Sequence, residues 1–354
     1  PWIDAGLLPN LGKLRGAGAS GDLLSTVQPV TTPAWISFMT GCQQGQHGIY
    51  DHVQQRENSY ALEIMDATRI GRPLIFDYLG QKGMRSISIN MPLTFPPPRI
   101  EGLMIGGLFG TLLGPGITNP PELFGRIATI APDYVVHPDY DPRSKNPLEQ
   151  YAADLLKSID DRSLVAETLL AEEEWDLGIV VYTATDQIQH AFWREMQEGD
   201  KSTPLHSAVY DVYKRIDDNI PRLLRHTDEN TLVLVMSDHG AGPLHGFVNI
   251  NRWLADEGLL TFKSDKRSER SSAIITKAAS AYKKYVPAKL RAAVRENLQN
   301  QFTQAKARME SELFAAAIDW SATKAYSIGS GGNIFINRSD RGPEGTVDDE
   351  DAYE

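Results

Sequence analysis

The chain has 354 residues, 41% of them apolar, and a net charge of −11; that length can bury a substantial core as one large α/β domain or two smaller ones. The acidic balance argues against general binding to nucleic-acid duplexes or anionic membranes. A single cysteine, Cys42, excludes an internal disulfide, no apolar run reaches the ~20 residues of a membrane span, and the start at Pro1 carries neither a basic nor an apolar leader region.

The elements read as alternating helices and strands. Leu8, Leu11 and Leu14 give 7–15 helical spacing, with Gly16 and Gly18 as terminators. Residues 22–27 read as a short strand and 29–32 as a turn, after which Pro33 suits the first position of a helix running to Gly41. An amphipathic helix over 72–82 precedes a buried strand at 86–90, a proline-rich loop at 92–98 and a second buried strand at 102–106. The glycine-rich stretch 107–121 is irregular, the kind of segment that rims a site. A long helix over 148–174 feeds the strand 177–182, whose continuous apolar character predicts burial on both faces. Residues 205–225 are helical, 231–236 is the most strongly β segment, 325–336 returns to strand, and the tail from Ser339 is polar and acidic. Between them lies a basic, helix-rich region (about 263–317) that reads as a helical insertion or cap. Strands joined by helical crossovers imply a mostly parallel sheet between helical layers.

Function gathers at the carboxyl ends of strands in such a fold, and three polar clusters fall there. Val30-Thr31-Thr32-Pro33 follows the strand ending near Val27, Thr183-Ala184-Thr185-Asp186 follows Tyr182, and Ser237-Asp238-His239-Gly240 follows Met236. Each has a bland alternative. Asp186 can cap a helix beside an unrelated surface His190, Asp238-His239 can end a strand in a turn, and Thr31 can cap a helix. Jointly they read as two acid–imidazole pairs holding adjacent divalent cations with a threonine hydroxyl between, a site for phosphoryl transfer. Asp186 and His190 share a helical face if their segment is helical. A hydroxyl at a helix start lies where the dipole favours an alkoxide or a bound phosphate.

The motifs Pro29-Val-Thr-Thr-Pro-Ala-Trp35, Thr40-Gly41, His47-Gly48-Ile49, Thr185-Asp186 with His190, and Ser237-Asp-His-Gly240 resemble the type I phosphodiesterase/nucleotide pyrophosphatase family of the alkaline phosphatase superfamily. The resemblance implies an alkaline-phosphatase-like α/β/α sandwich over 1–354, two zinc ions (manganese being the alternative) and a covalent phosphothreonine intermediate. It makes Thr31 the nucleophile and a metal ligand. Asp186 and His190 would hold one metal, Asp238 and His239 the other. The family's first metal aspartate would precede Pro1 and its last metal histidine would follow Glu354, so the chain reads as a fragment one ligand short at each metal. Counting from Thr31, the phosphate-binding asparagine of nucleotide pyrophosphatases falls on His52, assigned here to substrate binding.

The resulting expectation is a metal-dependent hydrolase of phosphodiester or nucleotide pyrophosphate bonds with a small phosphate-ester or nucleotide substrate and a cytoplasmic location. Alternatives are a phosphomonoesterase, phosphotransferase or phosphomutase of the same superfamily, or a non-catalytic binding protein that keeps the fold. Cys42 lacks the Cys-x-Pro-x-Arg context that sulfatases of the superfamily modify, which counts against a sulfatase. His47 is expected to buttress the loop after the nucleophile helix, and His245 to be a solvated loop residue.

Overall fold

The structure, a computed structural model, describes residues 1–107, 114–263, 311–329, 331–348 and 350–351; most of the expected basic insertion lies outside them. The chain divides into two compact units. The first comprises Pro1–Gly48 and Asp66–Leu244, the second Ile49–Met65 and His245–Glu354.

Helix α1 (Pro9–Ala17) carries the leucine spacing read from the sequence. Its first N–H groups are satisfied from far along the chain: the buried Asp217 carboxylate accepts from Asn10 N at 3.2 Å and Leu11 N at 2.8 Å. Helix α2 spans Thr31–Thr40 and ends at Gly41, whose φ of +65° few other residues adopt easily. It therefore starts before Pro33, not at it. The correction has a simple cause, since the first helical N–H groups have no partner inside the helix and a proline there removes no bond. Short α3 (Gln44–His47) follows, then an unanticipated antiparallel hairpin of β1 (Val53–Gln55) and β2 (Leu62–Ile64) in the second unit. Helix α4 (Ile75–Gly80) is shorter than the expected 72–82.

The central sheet is built next. Strands β3 (Ser86–Met91) and β4 (Gly102–Gly106) match the two buried apolar runs. β5 (Thr118–Asn119) lies in the stretch expected to be irregular, and α5 (Leu123–Ile130) was not anticipated. Helix α6 (Pro147–Glu172) leads to β6 (Leu177–Val180), followed by α7 (Ala184–Glu198) and α8 (Pro204–Leu224). The sheet order is β5-β4-β3-β6, with β3 parallel to both β4 and β6 and β5 antiparallel to β4. Alternate residues Ile87, Ile89, Leu103 and Ile105 present one face to Leu123 and Ile127 of α5 and to Val165, Ala166 and Leu169 of α6. Burying each such side chain stabilises the fold by about 1.5–3 kcal/mol. A second cluster joins Leu155 and Ile159 of α6, Ile188 and Phe192 of α7, and Val209 and Val212 of α8, so the site-bearing α7 rests on two long helices.

Four expected strands are corrected. β6 is only half-buried, because it is bordered by β3 alone among the described strands. Residues 22–27 and 231–236 form no strand, and Leu24 (96%) and Leu232 (91%) are among the most exposed side chains. High β-propensity means a good fit to a pleated, paired surface; with no neighbouring strand among the described residues, the backbone groups of these segments gain nothing from pairing. In the second unit, α9 (Ile250–Asp256) precedes β7 (Ala325–Ser327) and β8 (Ile334–Ile336). The single strand expected over 325–336 is an antiparallel hairpin, turned where Gly329 and Gly332 take positive φ. Its core stacks Tyr60 on Trp320 and packs Leu254, Ile318 and Tyr326 around them.

Candidate active site

Asp186 occupies the first turn of α7, just past the carboxyl end of β6, where the helix dipole favours its negative charge. One turn on, His190 Nε2 stands 3.2 Å from Asp186 Oδ1, which is what i, i+4 spacing on a helix provides. Burial pushes the Asp186 carboxyl up, but the His190 hydrogen bond and charge, followed by the charges of His239 and His137, outweigh it and hold the group below its ordinary value. The same hydrogen bond raises His190 against the opposing effect of burial.

The second pair is organised by the backbone of a loop. His239 Nε2 lies 3.4 Å from Asp238 Oδ2 and 3.0 Å from Thr31 Oγ1, while Nδ1 donates to the Gly240 carbonyl at 2.8 Å. With its proton committed at Nδ1, the ring turns the Nε2 lone pair toward Thr31 and can accept from its hydroxyl or ligate a metal. The loop is tied to the segment before α2 by Ser25, whose hydroxyl donates to the Asp238 carbonyl. Burial raises the Asp238 carboxyl, with the His239 charge opposing and the like charge of Asp186 adding to the rise. The Asp186 carboxyl thus responds to the His239 charge and the Asp238 carboxyl to that of Asp186, and all five residues belong to the first unit.

These donor atoms fit divalent cations. Ligands about 2.0–2.1 Å from a tetrahedral zinc stand roughly 3.3–3.4 Å from one another. The Asp186–His190, Asp238–His239 and Thr31–His239 separations of 3.2, 3.4 and 3.0 Å are close to that edge length. Mixed carboxylate, imidazole and hydroxyl donors suit zinc or manganese. Among the described residues no group of three or more His, Cys, Asp or Glu side chains is arranged to hold a metal ion.

His47, expected as a buttress, is buried and places Nε2 3.0 Å from the Ser37 hydroxyl of α2; burial holds its pKa below the ordinary histidine value. His52 belongs to the second unit and follows the buried Asp51, while His245 is exposed.

Sequence reasoning missed the surroundings of Asp186. Gln187 is hydrogen-bonded to His137 and Tyr151 behind the first turn of α7, and the fully buried Arg162 donates to the Val136 and Val181 carbonyls nearby in the chain. One signal was available: Gln187 shares the inner face of α7 with Ala184 and Ile188, where an amide needs partners.

The family model for type I phosphodiesterase / nucleotide pyrophosphatase matches residues 2–328. No curated protein matches the chain. Among solved structures, phosphonoacetate hydrolase from Sinorhizobium meliloti 1021, in complex with phosphonoformate, is similar at 18% identity with a TM-score of 0.41. The match covers 63% of this chain and 49% of that one, so the chain spans about half the length of the structure it resembles.

Proposed function

The chain belongs to the type I phosphodiesterase/nucleotide pyrophosphatase family, and on that premise we propose that it is a metal-dependent phosphohydrolase acting on phosphodiester or nucleotide pyrophosphate bonds, with Thr31 as nucleophile. The observation that carries this reading is the Thr31 hydroxyl at 3.0 Å from a histidine nitrogen whose ring is already oriented from its other side. Asp238, His239 and Thr31 would hold one cation, Asp186 and His190 the other. Bound there, two divalent cations supply the positive charge that makes a hydroxyl nucleophilic near neutral pH and stabilises a departing oxygen.

The residues then divide the work. Thr31, at the start of α2, attacks phosphorus where the helix dipole favours the negative charge of the phosphoryl group. Phosphorus bonds to Oγ1 as its bond to the leaving oxygen breaks, and the product is a phosphothreonine. Water attacking from the vacated side breaks the bond between phosphorus and Oγ1, releases a phosphate monoester that keeps the substrate's other substituent, and gives one proton back to the Thr31 hydroxyl. Asp186 and His190 would hold the cation as a carboxylate and a neutral imidazole. The family match crosses both compact units, which supports reading them as parts of one catalytic domain, with 263–317 as an insertion or cap. Among the described residues no helix is long and apolar enough to cross a membrane.

The test compares initial rates on bis(4-nitrophenyl) phosphate and 4-nitrophenyl phosphate with zinc or manganese supplied. Faster diester cleavage supports the reading, and faster monoester cleavage moves it to a phosphomonoesterase. Absence of turnover of either ester by the whole protein favours the binding-protein alternative.

A further inference from the structure

We propose that Gln187 is a positioning residue that sets the first turn of α7 so that Asp186 and His190 face the same cation; the inference rests on the reading that this pair holds one. Gln187 follows Asp186 directly, roughly 100° further round the helix, and is 5% exposed. Its Nε2 lies 3.1 Å from His137 Nδ1, 3.1 Å from the Tyr151 hydroxyl and 3.3 Å from the Pro138 carbonyl. One amide thus ties α7 to α6, through Tyr151, and to the loop at 136–138. That loop is itself suspended from Arg162, whose guanidinium donates to the Val136 carbonyl at 2.7 Å and to the Val181 carbonyl at 2.9 Å. Arg162 therefore couples the anchor of Gln187 to the end of β6, from which α7 departs.

The exposure of the ligands makes such an anchor necessary. The side chains of His190 and Asp186 are 80% and 42% exposed, so little packing restrains them, and the fold can preset only the backbone that carries them. Apolar contacts through Ile188 and Phe192 choose the inward face of α7 but are non-directional; the directional side-chain bonds to its neighbouring helices come from Gln187 and from Gln189, which donates to the Tyr213 hydroxyl of α8 at 3.0 Å. Hydrogen bonds from a buried amide are directional and fix the rotation of α7 about its axis one residue from Asp186. An apolar side chain of the same length would pack in this contact face; an amide there needs a reason. Groups that orient metal ligands typically contribute 10–100-fold to metal affinity.

The test is a Zn2+ titration of the whole protein against a chromophoric chelator, giving affinity and equivalents per chain, with thermal unfolding of each metal-free variant alongside. Gln187→Met keeps volume and loses the amide; it should weaken one equivalent about 10–100-fold and leave the other unchanged. Tyr151→Phe removes a single acceptor and should weaken the same equivalent about threefold. Asp186→Asn should abolish it. If Asp186→Asn loses the equivalent while folded Gln187→Met binds like the parent, the positioning role is overturned and the ligand reading stands. If Asp186→Asn retains both equivalents, the ligand reading falls and takes the positioning role with it. Should Gln187→Met not fold, Tyr151→Phe decides: weakened binding supports the role and parental affinity overturns it.

Discussion

Thr31→Ala separates chemistry from stability more cleanly than any other change in the molecule. Thr31 is half-buried at the first position of α2, and among the described residues its hydroxyl is hydrogen-bonded to His239 at 3.0 Å. Losing a bond of that kind costs about 0.5–1.5 kcal/mol, and alanine returns a few tenths through its better helix propensity. The variant should therefore unfold within about 1 kcal/mol of the parent. If the hydroxyl is the nucleophile, the rate should fall by about 10⁴–10⁶-fold, or roughly 5.5–8 kcal/mol of barrier. Thr31→Ser keeps the hydroxyl and should remain within about tenfold of the parent. The assay is nitrophenolate release from both esters at saturating zinc, with urea melts in parallel. Activity above about 1% of the parent in a folded, metal-loaded Thr31→Ala protein would refute the assignment, because no 10⁴-fold loss could be hidden there. Thr32 is a poor substitute, being fully buried at the base of the same helix.

Further outcomes are expected elsewhere. Asp186→Ala and Asp238→Ala should each lower bound zinc by about one equivalent per chain, measured by elemental analysis after dialysis, since each removes a charged donor; unchanged content in either would strike that residue from the ligand set. Burial holds His47 and His137 below the ordinary histidine value of 6.5, so between pH 6.5 and their native values the unfolded chain binds more protons than the native one. The stability they contribute is complete above that value and declines on acidification, by up to about 1.4 kcal/mol per pH unit for each. Urea midpoints between pH 7.5 and 5.5 should show the decline, and His47→Gln should flatten it; an equal slope in the variant would remove His47 as a source. Gly102→Ala places a Cβ 2.1 Å from the Ser86 carbonyl oxygen at a φ of +123°. Strain and overpacking together should cost about 2–5 kcal/mol, seen as a lowered melting temperature, and a melt like the parent's would contradict the β3–β4 register.

Much of the fold was legible where local pattern and burial agree. The apolar runs of β3 and β4 are central to the sheet, and the spacing along α6 and α8 matches faces that pack on neighbours. It was illegible where pairing decides. Residues 231–236 have strong strand propensity but no ladder partner among the described residues, and 325–336 folds back on itself because two glycines allow the turn. The start of α2 was misplaced by treating Pro33 as a marker of the first position, although proline is tolerated throughout the first turn.

The identity of each chemical group at the site, and the one-turn spacing of Asp186 and His190, were determined by the amino-acid order alone, because helix geometry is a local property. That Thr31 touches His239, 208 positions away, was decided by tertiary packing, as was the anchoring of Gln187 to His137 and Tyr151. Such contacts depend on where the loop carrying His239 meets the start of α2 and on how α6 and α7 pack, and packed elements choose among arrangements that no short stretch of sequence distinguishes.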